Sequence, residues 1–163
     1  MANYRHGAMI LKPNAVMFLA TGAYVGRIPF ASGTFGSLVG FPIVYLLSKA
    51  AWPLAAFLTV ALILFSVRVA HLAEQHLKAK DPGCIVIDEI AGMCVTMLGM
   101  PLTLTTGIAG FFLFRLFDVI KPPPARQMEK NLKGGWGVVM DDVAAGAMAN
   151  IVLHLAIWLH ILQ

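Results

Sequence analysis

Acidic residues are scarce in this chain: eight among 163 residues, against twelve Lys and Arg. Only 12% of the sequence is charged, where soluble domains average about 25%. With a mean hydropathy of +0.79, this excludes the solvated surface of an ordinary soluble domain. Cysteine is nearly absent. Cys84 and Cys94 lie in one segment, too few for a disulfide framework, and read as inert buried thiols. No stretch interleaves aromatic and basic residues, so the net charge of +4 does not point to nucleic acid. Basic loops facing an anionic membrane surface explain it better. The first residues carry Arg5 and Lys12 but neither a long apolar core nor a small-residue cleavage site, so no removable signal peptide is expected. Internal repeats, low-complexity tracts, metal spacing among the histidines, an Asp-x-Asp pair and a Cys-Arg phosphatase loop are missing too.

What is abundant is apolar sequence, 59% of the chain. Its length suits a single domain, residues 1–163. The apolar runs predict an all-α, polytopic membrane helix bundle. About five spans are expected: Leu38–Ala51, Pro53–Ala70, Cys84–Met100, Leu102–Ile120 and Val138–Leu162. Asn14–Gly22 is too short to cross and reads as an interfacial or re-entrant helix. His71–Gly83 is a polar, partly helical loop. Lys121-Pro-Pro-Pro124 stops the fourth span, because proline lacks an N–H and clashes with the preceding turn. A basic loop follows to Gly137.

With the N-terminus inside, Arg5, Lys12, Arg27, Arg68, Lys78, Lys80, Lys121, Arg126, Lys130 and Lys133 fall on one side, and only Lys49 on the other. This agrees with the positive-inside rule. The same topology brings Asp88, Glu89, Asp118, Asp141 and Asp142, from three distant sequence positions, to one depth near the cytoplasmic interface. A charge at mid-membrane costs about 2.5–3.5 kcal/mol, so acids in such segments point to function. Each doublet alone could be a set of first-turn acids favoured by the helix dipole. Asp118 sits at a helix C-terminus, where the dipole disfavours an anion, and tips the joint pattern towards a cation site. Carboxylate oxygens suit a hard cation such as Mg²⁺.

Arg115, Asp118 and Lys121 are three residues apart in turn. They fit salt bridges neutralising Asp118 or a metal ligand flanked by phosphate-binding cations. Ser32-Gly-Thr-Phe-Gly-Ser37 opens the first span and offers either an anion site at a helix N-terminus or a flexible turn capped by Thr34 or Ser37. A small membrane cation carrier with an acidic site is the alternative function. Arg115 and Lys121 suit phosphate better than a cation path.

Four ordered motifs carry a resemblance: Ser32-Gly-Thr-Phe-Gly-Ser37, Ile87-Asp-Glu-Ile-Ala-Gly-Met93, Phe114-Arg-Leu-Phe-Asp-Val-Ile-Lys-Pro122, and Gly134-Gly-Trp-Gly-Val-Val-Met-Asp-Asp-Val-Ala-Ala-Gly146. Together they resemble the phosphatidylglycerophosphatase A family of bacterial inner-membrane lipid phosphatases. Ser32 stands where that family often has proline. The resemblance implies a multi-pass enzyme with its active site toward the cytoplasm. Its expected activity is Mg²⁺-dependent conversion of phosphatidylglycerophosphate to phosphatidylglycerol. The expected metal set is Asp88, Glu89, Asp118, Asp141 and Asp142. Asp88, Glu89, Asp118 and Asp142 are the expected catalytic groups, one of them acting as base toward water or as the attacking nucleophile. Thr34, Gly36, Ser37, Arg115 and Lys121 are expected to bind the substrate phosphate. The expected partners are the lipid substrate and the membrane; a homo-oligomer is compatible with the sequence.

Overall fold

A computed structural model describes residues 12–162. Arg5, used in the orientation count, lies outside the described residues. Among the described residues there are seven α-helices: α1 (Pro13–Ala20), α2 (Ser32–Ser48), α3 (Trp52–Leu77), α4 (Ile87–Thr96), α5 (Leu104–Ile120), α6 (Ala125–Asn131) and α7 (Gly135–Trp158). There is no strand among the described residues. A 3₁₀ turn, Val25–Arg27, precedes α2.

α7 is the central strut and packs on α3, α4, α5 and α6. Small residues let it approach α4: a Cβ on Gly146 would stand 2.4 Å from the Gly92 carbonyl oxygen. This close backbone contact suits helices packing in lipid. One core cluster joins Val16, Met17 and Ala20 of α1 to Val69, Ala70 and Ala73 of α3 and Val139 of α7. A second joins Met93, Phe114, Ala149 and Leu153. The Asn14–Gly22 segment thus becomes a short helix with one buried face, laid on α3.

Several boundaries differ from the expected spans. α3 runs on through His71–Leu77, since no Gly or Pro interrupts it there. α4 has only ten residues, about 15 Å at 1.5 Å per residue, because Cys84–Val86 and Met97–Met100 are partly buried non-helical segments. The basic loop contains α6, started after Pro124. α5 begins at a reciprocal Thr103–Thr106 capping box and ends at Lys121, whose φ is 48°.

α3 and α7 are long and apolar enough to cross a membrane, with mean hydropathies of 2.1 and 1.4. Their outer faces are not covered by protein. Phe57, Leu64, Ile151 and Leu155 are exposed, as are Leu104, Ile108, Phe112 and Leu116 on α5. Exposed apolar residues in this number fit a surface that associates with a membrane.

Candidate active site

Four helix ends and one loop meet at a cavity of about 310 Å³, lined by fourteen residues that include Ser32, Gly33, Asp81, Asp88, Glu89, Arg115, Asp118, Lys121, Asp141 and Asp142. α4 contributes Asp88 and Glu89 from its first turn, where free N–H groups favour anions. α5 contributes Arg115 and Asp118, and its C-cap contributes Lys121. α7 contributes Asp141 and Asp142. The five carboxylates singled out from the sequence therefore share one cavity.

Their partners divide them. One oxygen each of Asp88, Glu89 and Asp142 lies within 4.8 Å of the others. Asp118 is held by Arg115, Nη1 to Oδ2 2.5 Å. Asp141 accepts from Lys121 Nζ at 2.6 Å. Lys121 also pairs with Glu129 at 3.2 Å. The expected Asp118–Lys121 pair on one helix face does not form, because the left-handed backbone at Lys121 turns its side chain off α5 toward α7. Burial disfavours the Lys121 ammonium, but the pairs with Asp141 and Glu129 outweigh it and hold its pKa above the ordinary lysine value.

Four buried carboxylate oxygens have no hydrogen-bond partner within the protein: Asp88 Oδ1, Glu89 Oε2, Asp141 Oδ1 and Asp142 Oδ2. Buried like charges left so are costly unless a counter-charge joins them. An all-oxygen donor set of this kind fits a hard divalent cation. Asp88, Glu89 and Asp142 are the residues placed to hold one.

The start of α2 forms the side of the cavity that could take an anion. Helical bonding begins with Thr34 N–H to the Ala31 carbonyl, 2.9 Å, so the Ser32 and Gly33 N–H groups precede the first helical bond and are free for a ligand. Gly33 matters for its missing side chain: a Cβ there would stand 2.4 Å from Glu89 Oε1 and 2.8 Å from Arg115 Nη1. Ser32 Oγ donates to the Gly83 carbonyl at 2.7 Å, tying this turn to the loop before α4.

The later residues of the glycine-rich motif lie elsewhere. Thr34, Gly36 and Ser37 do not line the cavity. Gly36 faces Val86, whose Cβ a substituent would meet at 2.6 Å. Ser37 Oγ donates to the Gly33 carbonyl, 2.8 Å. After its first turn, α2 rotates these side chains away from the cavity.

Asp81 is a cavity residue that sequence reasoning passed over. Its N–H donates to Glu74 Oε1 at 2.9 Å. Burial raises its carboxyl pKa, with the Lys121 charge opposing. Its only signal in the sequence was an acid beside Pro82-Gly83, which reads as an ordinary turn.

A family model described as phosphatidylglycerophosphatase A matches residues 18–157. The chain is 34% identical over 137 residues to a protein of Escherichia coli (strain K12) named phosphatidylglycerophosphatase A, covering 83% of this chain and 80% of that one. A Haemophilus influenzae protein of the same name is 34% identical over 142 residues, covering 86% and 87%. A Bacteroides thetaiotaomicron protein named "Putative phosphatidylinositol-3-phosphatase" is 37% identical over 150 residues, covering 87% and 93%. No solved structure matches the chain.

Proposed function

The chain belongs to the phosphatidylglycerophosphatase A family of lipid phosphatases, and from that premise we propose that it hydrolyses the phosphate monoester of phosphatidylglycerophosphate to phosphatidylglycerol and phosphate. The reaction depends on Mg²⁺ and takes place at the cytoplasmic face of a bacterial inner membrane that the helix bundle crosses several times. Asp88, Glu89 and Asp142 hold the metal, with Asp118 and Asp141 beside them. When bound, Mg²⁺ supplies Lewis-acid polarisation of the phosphoryl oxygens.

The chain's own groups do the rest. The Arg115 guanidinium offers a planar fork to the phosphoryl oxygens. The Ser32 and Gly33 N–H groups add fixed donors where negative charge builds, and the bare Cα of Gly33 leaves room for the phosphate. Asp118 is held through Oδ2 by Arg115. Its other oxygen accepts a proton from the attacking water. Water adds to phosphorus, the P–O bond to glycerol breaks, and the departing alkoxide takes up the proton that Asp118 received from the water. Lys121 sets the Asp141 side chain and keeps positive charge at the cavity.

One observation carries this reading: unpartnered buried carboxylate oxygens meet a guanidinium and an open helix N-terminus around a single cavity. A cation carrier would gain nothing from Arg115 there. The test is phosphate release by the solubilised protein from phosphatidylglycerophosphate, with Mg²⁺ and with EDTA. Release that EDTA stops and Mg²⁺ restores is expected. No release under any metal condition overturns the reading. Because one relative carries the phosphatidylinositol-3-phosphatase name, phosphatidylinositol 3-phosphate belongs in the same assay. Faster turnover of that lipid would move the headgroup assignment without moving the site.

A further inference from the structure

An open groove of about 950 Å³ lies between α2 and α5. Leu38, Phe41 and Tyr45 form one wall, and Leu104, Ile108 and Phe112 the other. α2 and α5 hardly touch each other, so the groove floor is reached from outside, and no charged residue lines it.

The groove and the acid cavity share one helical register. On α5 the groove residues repeat at three- and four-residue intervals from Leu104 to Phe112, and the next residue on that stripe is Arg115. On α2 the groove begins at Leu38, less than two turns after Ser32 and Gly33, which line the acid cavity. The seam is therefore polar at one end and apolar along the rest. From Leu104 to Arg115 it extends about 16 Å at 1.5 Å per residue. One leaflet of hydrocarbon is about 15 Å, half of the 30 Å core.

We propose that an acyl chain of the lipid substrate lies in this groove while its phosphate occupies the acid cavity. The proposal rests on the lipid-phosphatase reading of that cavity. A phosphate seated by Arg115 places the glycerol at the head of the seam, and its acyl chain then descends beside Phe112, Ile108 and Leu104. The groove thus makes chain length part of substrate recognition, and it makes α2 and α5 the binding element for the apolar half of the substrate.

Gly107 is the position to perturb. It lines the groove, and a Cβ there meets only Phe41 Cε1, at 3.4 Å, so a larger side chain fills the groove without entering the acid cavity. Kinetics of the full chain in mixed micelles would compare dipalmitoyl and dihexanoyl phosphatidylglycerophosphate. Wild type is expected to have at least a tenfold higher kcat/KM on the long-chain lipid, and Gly107→Leu to lose that advantage through KM while keeping its rate on the short-chain lipid. Equal losses on both lipids, or no change on either, overturn the proposal. As a control independent of how Gly107→Leu folds, wild-type protein is also photolabelled with two lipids carrying a mid-chain diazirine: a non-hydrolysable phosphonate analogue of the substrate, and phosphatidylcholine. Labelling of Ile108 or Phe112 by the phosphonate lipid, competed by phosphatidylglycerophosphate, is expected. Equal labelling by phosphatidylcholine shows that bulk lipid fills the groove and overturns the proposal. Wild type that hydrolyses neither chain length tells against the lipid-phosphatase reading itself, not the groove.

Discussion

Gly33→Ala separates the chemistry of the site from the stability of the fold. In a helix, alanine is favoured over glycine by about 0.5–1 kcal/mol, so backbone energetics alone predict no loss of stability. The added methyl carbon would stand 2.4 Å from Glu89 Oε1 and 2.8 Å from Arg115 Nη1. To regain ordinary contact near 3.4 Å, Glu89 must retreat by about 1 Å, a misplacement that can cost about 10²-fold in rate. That corresponds to about 2.7 kcal/mol of barrier, at about 1.36 kcal/mol per tenfold. Phosphate release from phosphatidylglycerophosphate in mixed micelles, with Mg²⁺ saturating, measures the rate, and a thermal melt in the same detergent measures the fold. The expected outcome is a kcat/KM lowered about a hundredfold with the melt nearly unchanged. Full activity in Gly33→Ala would show that the start of α2 does not face the reacting phosphate. A parallel collapse of activity and melting temperature would make Gly33 a packing residue.

Asp118→Asn removes a charge but little volume, and should lower turnover by roughly 10²–10⁴-fold while the protein still folds; wild-type turnover would refute its role. Thr34→Ala should cost less activity than losing any cavity carboxylate, because Thr34 does not line the cavity; a loss as large as that of Asp118→Asn would contradict this. Lys121→Met leaves Asp141 buried without its 2.6 Å partner and should lower stability by about 1.5–3 kcal/mol, read from thermal melts in detergent. The Lys121 pKa is raised in the folded state, so its contribution is complete below the ordinary lysine value of about 10.4 and is lost only as pH rises through the higher folded value. The part of the difference between wild type and Lys121→Met that comes from the ammonium charge should therefore shrink only above about pH 10.

The helical class and the meeting of the acids were legible because both follow from coarse features: apolar runs, prolines and the placement of basic loops. Asp88-Glu89, Asp118 and Asp141-Asp142 needed only helix order to arrive at one end of the bundle. Finer matters depended on contacts that no local pattern records. The apolar run Cys84–Met100 does not say where helix gives way to turn, and α4 is the shorter for it. Gly33, Gly36 and Ser37 look alike in a glycine-rich motif, yet only the first faces the cavity, because each step along α2 turns the side chain by about 100°. Asp81 looks like a turn residue until Glu74 fixes its backbone beside the cavity. Lys121 leaves the face it shares with Asp118 through a left-handed φ of 48°, a conformation uncommon outside glycine.

The central claim is that buried acids from α4 and α7 form one cation site that serves a phosphate monoester. Mn²⁺ is a paramagnetic hard cation with the same preference for oxygen donors as Mg²⁺, so its EPR spectrum on the solubilised protein tests that claim most directly. The wild type should bind Mn²⁺, Mg²⁺ should displace it, and a non-hydrolysable phosphonate lipid should change the bound spectrum. Asp88→Asn combined with Asp142→Asn should abolish binding. Wild type that binds no Mn²⁺, or a double variant that binds it as wild type does, would contradict the account.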